Sequence, residues 1–396
     1  MTGFGARGSL LREASAHGHH RVTFVELFFD LVFVFAITQL SHHLLHDLSL
    51  TGLAQTLVLF VAVWWAWIDT AWVTNWLDPD RKPVRLALLV LMLVGLVLSA
   101  TLPKAFHDGG LPFALAYATF QMGRSAFTIW AVARHDRAQA TNFTRILSWQ
   151  ALASALWIAG AFLHDGARLG VWALAAVIDS IAAATGFFVP GLGASKAADW
   201  NVEGGHLSER CALFIIIALG ESVLVTGATA SGLAWTVTNF SAFVVAFVGT
   251  VAMWWIYFDT GSERASSRIA HAQESGHMAR LGYTYVHQII VLGIIGCALS
   301  DELILAHPGG EVSPAATAAI VGGPALYLLG CGLFKYPLLR RFPLSHLAGL
   351  VLLAPLAPFA GAFSPLGLAA AGTAALLVVA AWESLALRRI APRPAD

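Results

Sequence analysis

Two carboxylates, Glu26 and Asp30, stand four residues apart inside the apolar run Val25–Thr38. On a helix that spacing puts both on one face, one turn apart. If the helix crosses a membrane, each charge costs roughly 2.5–3.5 kcal/mol on an insertion scale. A chain carries such a cost where the groups face a packed or hydrated interior, and acids so placed could take up and release a proton or a cation. Other polar residues interrupt other apolar runs: Asp69, Arg124, Asp179, Glu221, Asp259, His287 and Glu383. Tyr117, Gln121, Arg124 and Thr128 form a polar stripe at helical spacing. Arg210 and Glu221 share a stripe too, but about 16 Å apart along a helix, too far to pair. Arg124 keeps its charge and needs a carboxylate; Asp30, Glu221 and Asp179 are the candidates. The acids outnumber this one deep base, so some must be protonated, hydrated or cation-bound. The competing reading is architectural. Buried acid–base pairs fix helix register, Glu26 serves as an entrance or as an anchor to Arg21, and Asp69 and Asp259 act as caps at helix ends.

Outside the apolar runs, His42 and His46 lie one helical turn apart and could share a metal. No stricter metal pattern accompanies them, and the plainer reading is solvated loop histidines. The three cysteines all fall in apolar segments and form no Cys-x-x-Cys pair. There is no Walker loop, nucleophile elbow or Asp-rich diphosphate motif, so no cofactor is implied.

The elements that must position these residues follow from composition. The 396 residues are 58% hydrophobic and 12% charged, with mean hydropathy +0.71. Ordinary soluble domains carry about 25% charged residues, so this is a polytopic, all-α membrane protein. The formal net charge of zero gives no case for nucleic-acid binding. The lipid bilayer is the expected partner, with a small solute, proton or cation as ligand; oligomeric state is left open. The first 24 residues hold no apolar core of a signal peptide, so the first span is expected to direct insertion.

Apolar stretches of about 20 residues mark crossing helices. They predict twelve: 25–45, 53–75, 84–103, 112–132, 144–163, 169–190, 208–229, 235–259, 281–304, 315–334, 345–362 and 365–387. This map puts 20 of the 23 Lys and Arg on the side holding both termini and two, Lys104 and Arg168, on the other. The positive-inside rule makes the first side cytoplasmic. The expected location is the bacterial cytoplasmic membrane.

The chain also repeats itself. Trp64-Trp-Ala-Trp-Ile-Asp-Thr70 recurs as Trp254-Trp-Ile-Tyr-Phe-Asp-Thr260, and Gly95-x-x-Leu-Ser99 as Gly296-x-x-Leu-Ser300. Spans 1–6 therefore correspond to spans 7–12 as parallel repeats, a common transporter build with the site between halves. The predicted organisation is a tail at 1–20, six-helix repeats at 21–195 and 196–390, and a tail at 391–396.

Three stretches together resemble the bacterial low temperature requirement A family: residues 21–41, residues 206–222 and the box at 254–259. The resemblance runs over roughly 17–390. It implies an integral membrane protein tied to growth in the cold, without a substrate. By the matched motifs, Arg21, Glu26, Asp30, His206, Glu209, Arg210, Glu221 and Asp259 are the positions to carry over. A looser likeness links Arg21 and Phe28-Phe29-Asp30 to the lysosomal potassium/proton channel family, with wider spacing and Phe in place of Ser. The functional expectation is a secondary transporter or channel-like permease for a proton, cation or small solute. Its site would use Glu26, Asp30, Arg124, Glu221, Asp69, Asp259, Asp179 and His287. The alternatives are an intramembrane enzyme protonating a lipid or isoprenoid, and a structural or sensory protein of cold-stressed membranes. Non-enzymatic readings are preferred.

Overall fold

A computed structural model describes residues 9–12, 21–196, 204–259 and 280–390. The predicted tails, apart from 9–12, and the basic loop around Arg264 and Arg268 lie outside them. Among the described residues the chain is helical, with two isolated β-bridges and no named strand. The helices are α1 (Phe24–His46), α2 (Leu50–Trp76), α3 (Lys82–Thr101), α4 (Gly110–Val132), α5 (Arg137–Ala161) and α6 (Asp165–Ala184). They continue with α7 (Gly204–Ser231), α8 (Val237–Trp254), α9 (His287–Ala306), α10 (Pro314–Leu339), α11 (Leu344–Leu353) and α12 (Pro365–Ile390). A π-turn, Trp255–Asp259, extends α8, and another, Arg280–Val286, leads into α9.

Nine of the described helical segments are long and apolar enough to cross a membrane. The exceptions are α4 and α5, both rich in polar residues, and the ten-residue α11. Prolines 355 and 358 follow α11, and short 3-10 turns replace the helix there. The burial pattern is that of a membrane protein. On α3, Leu86, Leu89, Val90, Leu93, Leu96 and Val97 form an exposed apolar stripe, while Glu26, Asp30, Gln121, Arg124 and Arg210 are buried. Large exposed apolar surface of this kind meets lipid, and the polar side chains turn inward. This is a multi-pass membrane protein.

Helix starts follow local chemistry. Ser49, Asp136, Thr236 and Ser313 each accept a backbone N–H from the first turn of the helix they precede, which satisfies a donor with no helical partner. Thr23 precedes α1, and its N–H and hydroxyl both donate to Glu26 Oε2, at 2.8 and 2.9 Å. That is the reciprocal half of a Thr-x-x-Glu capping box.

The chain divides into two compact units, one ending at Arg210 and the other beginning at Cys211. In the first unit α1 packs on α2 and α3, α4 on α3 and α5, and α6 on α5 and α2. An N-terminal strap closes on it: Asp78 N–H donates to Leu10 O at 2.9 Å and Arg12 N–H to Trp76 O at 2.8 Å. Leu10 is buried among Val73, Leu77, Val84, Ala131, Phe143 and Ile146. In the second unit α9 packs on α10 and α8, and α12 on α8, α10 and α11. Glycine lets α9 and α10 approach closely. A Cβ on Gly293 would lie 2.5 Å from Tyr327 N, and one on Gly296 2.9 Å from Gly323 Cα, the small-residue contact expected between membrane helices.

Candidate functional site

In the first unit, Glu26 and Asp30 meet two residues from the start of α7. Arg210 NH2 donates to Asp30 Oδ1 at 2.5 Å, and its NH1 donates to Glu26 Oε1 and Thr74 Oγ1, both at 3.2 Å. Trp67 Nε1–H adds a bond to Asp30 Oδ1 at 2.8 Å. His206 Nε2 stands 2.9 Å from Glu26 Oε1 and 3.0 Å from Arg12 NH2, and Asn75 Nδ2 reaches His206 Nδ1 at 3.5 Å. From the strap, Arg12 NH2 donates to both Glu26 oxygens at 3.3 Å. Two acids thus face two guanidiniums and one imidazole, all buried or nearly so. The anchor of Glu26 is Arg12 and Arg210, not Arg21. Asp30 Oδ2 is buried with no hydrogen-bond partner among the described residues.

A second network lies on α2, α4, α5 and α6. Arg124 NH2 donates to Asp69 Oδ2 at 2.9 Å, and NH1 to Ala66 O at 3.2 Å. Gln150 Nε2 joins Asp69 Oδ2 at 3.3 Å. The carboxylate that Arg124 needs is therefore Asp69, not Asp30, Glu221 or Asp179. Asp30 is already held by Arg210, and α2 packs on α4. Asp179 instead accepts from Tyr117 OH at 2.8 Å, and Gln121 Nε2 donates to that hydroxyl at 3.0 Å. The expectation of one deep base also fails: Arg210, Arg168 and Lys335 are buried as well as Arg124. Arg168 donates to the carbonyls of Ala105, His107, Ala161 and Leu163, closing helix ends rather than meeting an acid.

In the second unit, His287 Nδ1–H donates to Gly282 O and Tyr257 OH donates to His287 Nε2, both at 2.7 Å. Lys335 Nζ donates to Glu383 Oε2 at 2.6 Å and to Ile256 O at 3.0 Å. Ser345 Oγ donates to Glu383 Oε1 at 3.0 Å. Ser222 Oγ donates to Asp301 Oδ2 at 2.5 Å and stands 3.0 Å from Thr250 Oγ1. Asp301 is buried, and no basic residue among those described pairs with it. Glu221 is buried as well. Asp259 is exposed and accepts a 3.4 Å bond from Ser384 Oγ. His42 is half-buried and His46 exposed. Among the described residues no group of three or more His, Cys, Asp or Glu side chains could hold a metal ion.

Some contacts recur between the units. Trp65 Nε1–H donates to Ser180 Oγ at 3.1 Å, and Trp255 Nε1–H to Ser384 Oγ at 2.8 Å. Arg124 donates to Ala66 O, and Lys335 to Ile256 O. Both Trp65/Trp255 and Ala66/Ile256 keep the 190-residue offset of the two Trp boxes.

The family model for the bacterial low temperature requirement A protein matches residues 21–381. The chain belongs to the LtrA family. An uncharacterized protein of Rhizobium meliloti (strain 1021) is 41% identical over 375 residues, covering 93% of this chain and 90% of the relative. No solved structure matches the chain. For this LtrA chain, the structure gives two of the quoted motifs a common purpose. The acids of the stretch 21–41 are held by His206 and Arg210 of the stretch 206–222, and Glu209 Oε2 accepts from Val22 N–H at 3.1 Å. Arg12, Asp301, Lys335 and Tyr257 escaped the sequence reading. Depth along the helices carried part of the missing signal. Glu26 and His206 each lie two residues past the first of their helices, and Asp30 and Arg210 each lie six past it.

Proposed function

We propose that this LtrA-family protein is a secondary transporter or channel-like permease for a proton or small cation, with twelve segments crossing the bacterial cytoplasmic membrane, the eleventh made of α11 and the 3-10 turns after it, and both termini cytoplasmic. One observation carries the reading. Glu26, Asp30, Asp69 and Glu383 are held by bases, whereas Asp301 is buried among hydroxyls with no basic partner among the described residues. A carboxyl in that setting needs a proton or a cation to neutralise it. The recurring tryptophan–serine and base–carbonyl contacts support the parallel repeat common among transporters.

The closed ion-pair cluster of the first unit supports a second reading, a structural or sensory membrane protein, since paired buried charges can serve only to fix register. The enzyme reading finds less support. A groove of about 400 Å³ between α8 and α12, lined by Val251, Trp255, Leu377, Ala381, Ser384 and neighbours, has no carboxyl in its wall to protonate a lipid.

The test is flux in proteoliposomes under imposed proton, sodium and potassium gradients. Transport above protein-free vesicles is expected from the native chain and lost in Asp301→Asn. Asp30→Asn and Glu221→Gln show which other acids take part. Absence of flux under every gradient rejects the permease reading.

A further inference from the structure

We propose that Asp301, Ser222 and Thr250 form a binding site for one dehydrated sodium ion. As cargo or coupling ion it rests on the permease reading; as a bound ion it stands alone. The three side chains come from α9, α7 and α8, all within the second unit. Asp301 and Thr250 border a cavity of about 30 Å³ that Ser300, Cys297 and Thr373 also line, and Ser222 Oγ lies within hydrogen-bond distance of both. About 10–15 Å³ of such space is enough to hold one water, so the cavity has room for a small ion.

The proton inventory leaves donor oxygens for it. Each hydroxyl carries one hydrogen. That of Ser222 goes to Asp301 Oδ2. Thr250 Oγ1 lies 3.2 Å from Ala246 O and 3.0 Å from Ser222 Oγ and can bond only one of them fully. Lone pairs on Thr250 Oγ1 and on the carboxylate therefore remain beside the cavity, with those of Ser222 Oγ directly behind them. These are hard oxygen donors, which select hard cations over soft ones. Calcium takes oxygens at about 2.3–2.6 Å, and sodium has nearly the same radius with half the charge. A single carboxylate balances one positive charge, which favours the monovalent ion; calcium sites generally gather several carboxylates. Ser222 Oγ now stands 2.5 Å from Asp301 Oδ2 and 3.0 Å from Thr250 Oγ1, so the three oxygens must spread apart to surround an ion at that distance.

The full-length protein is purified in detergent, and its thermal unfolding is followed in sodium, potassium or choline chloride at one ionic strength. Sodium should raise the unfolding temperature saturably, and potassium and choline should not. Asp301→Asn should abolish the response, and Ser222→Ala and Thr250→Val should each weaken the apparent affinity about tenfold or more, roughly 1.4 kcal/mol. If Asp301→Asn fails to fold, the two hydroxyl variants and equilibrium binding of radioactive sodium carry the test. A response shared by all three salts, or retained in Asp301→Asn, overturns the site. Stability that follows pH and ignores sodium also overturns it, since the carboxyl then holds a proton. Sodium binding without flux would leave the site standing and reject only the transport reading.

Discussion

Replacing Arg210 by Met should unbalance the buried cluster at one atom group in particular. Glu26 would keep Arg12, His206 and the two Thr23 donors. Among the described residues Asp30 would keep only Trp67 Nε1–H and would become an unneutralised buried acid. Removing one partner of a buried pair costs about 3–5 kcal/mol. Asp30→Asn alone should cost less, about 1.5–3 kcal/mol, because it removes one charge-assisted bond while Arg210 stays on Glu26. In the double variant no acid is left without a base, so the two losses should fall short of their sum by about 1–3 kcal/mol. The assay is unfolding of purified protein in mixed micelles by titration with dodecyl sulfate, read by the fluorescence of the 14 tryptophans. Arg124→Met combined with Asp30→Asn is the control. Arg124 pairs with Asp69, so that combination should be additive. Additivity within about 0.5 kcal/mol for Arg210→Met with Asp30→Asn would refute the pairing.

Three further outcomes are expected. Gly293→Ala should destabilise by about 1–3 kcal/mol, since its Cβ would meet the Tyr327 backbone at 2.5 Å, whereas Gly227→Ala, with nothing within 4 Å, should not; paired unfolding curves decide. Trp65→Phe and Trp255→Phe each remove one tryptophan–serine bond and should cost similar amounts, about 0.5–1.5 kcal/mol; a large disparity in the same unfolding assay would argue against equivalent positions in two repeats. Arg12→Ala should loosen the strap, and hydrogen exchange of the Arg12 and Asp78 amides, now bonded to Trp76 O and Leu10 O, should quicken about tenfold for each 1.4 kcal/mol lost.

Helix positions were legible because lipid imposes a length and an apolar composition on any crossing segment. The run 25–45 became Phe24–His46, and 53–75 became Leu50–Trp76. Charged partners were harder to read, because pairing is a property of neighbouring helices and the sequence gives only order along one. Arg210 lies two residues inside its predicted span, too far from Glu221 to pair, yet it is fully buried between two acids of another helix. Depth narrows the choice. Asp69 lies seven residues before the end of α2 and Arg124 eight before the end of α4, so matching distances from helix ends pairs them better than the candidates first considered. Asp301 has no Lys or Arg on its own predicted span to draw attention to it. Only the convergence of Ser222 and Thr250 from other helices distinguishes it.

The bond from Arg210 to Asp30 spans 180 residues, and this has a consequence for how the protein is made. A ribosome adding about 5–20 residues per second delivers the base roughly 10–40 s after the acid. Through that interval α1 must enter the bilayer with Asp30 lacking its cation, while Arg12, already synthesised, is at hand for Glu26. A nascent chain released at residue 195, the boundary suggested by the repeat, would keep that defect for good. One released just past Arg210 could complete its first bundle. Truncation for expression, and any splitting of the gene into two separately translated parts, should therefore respect the charge register and cut after the opening turns of α7.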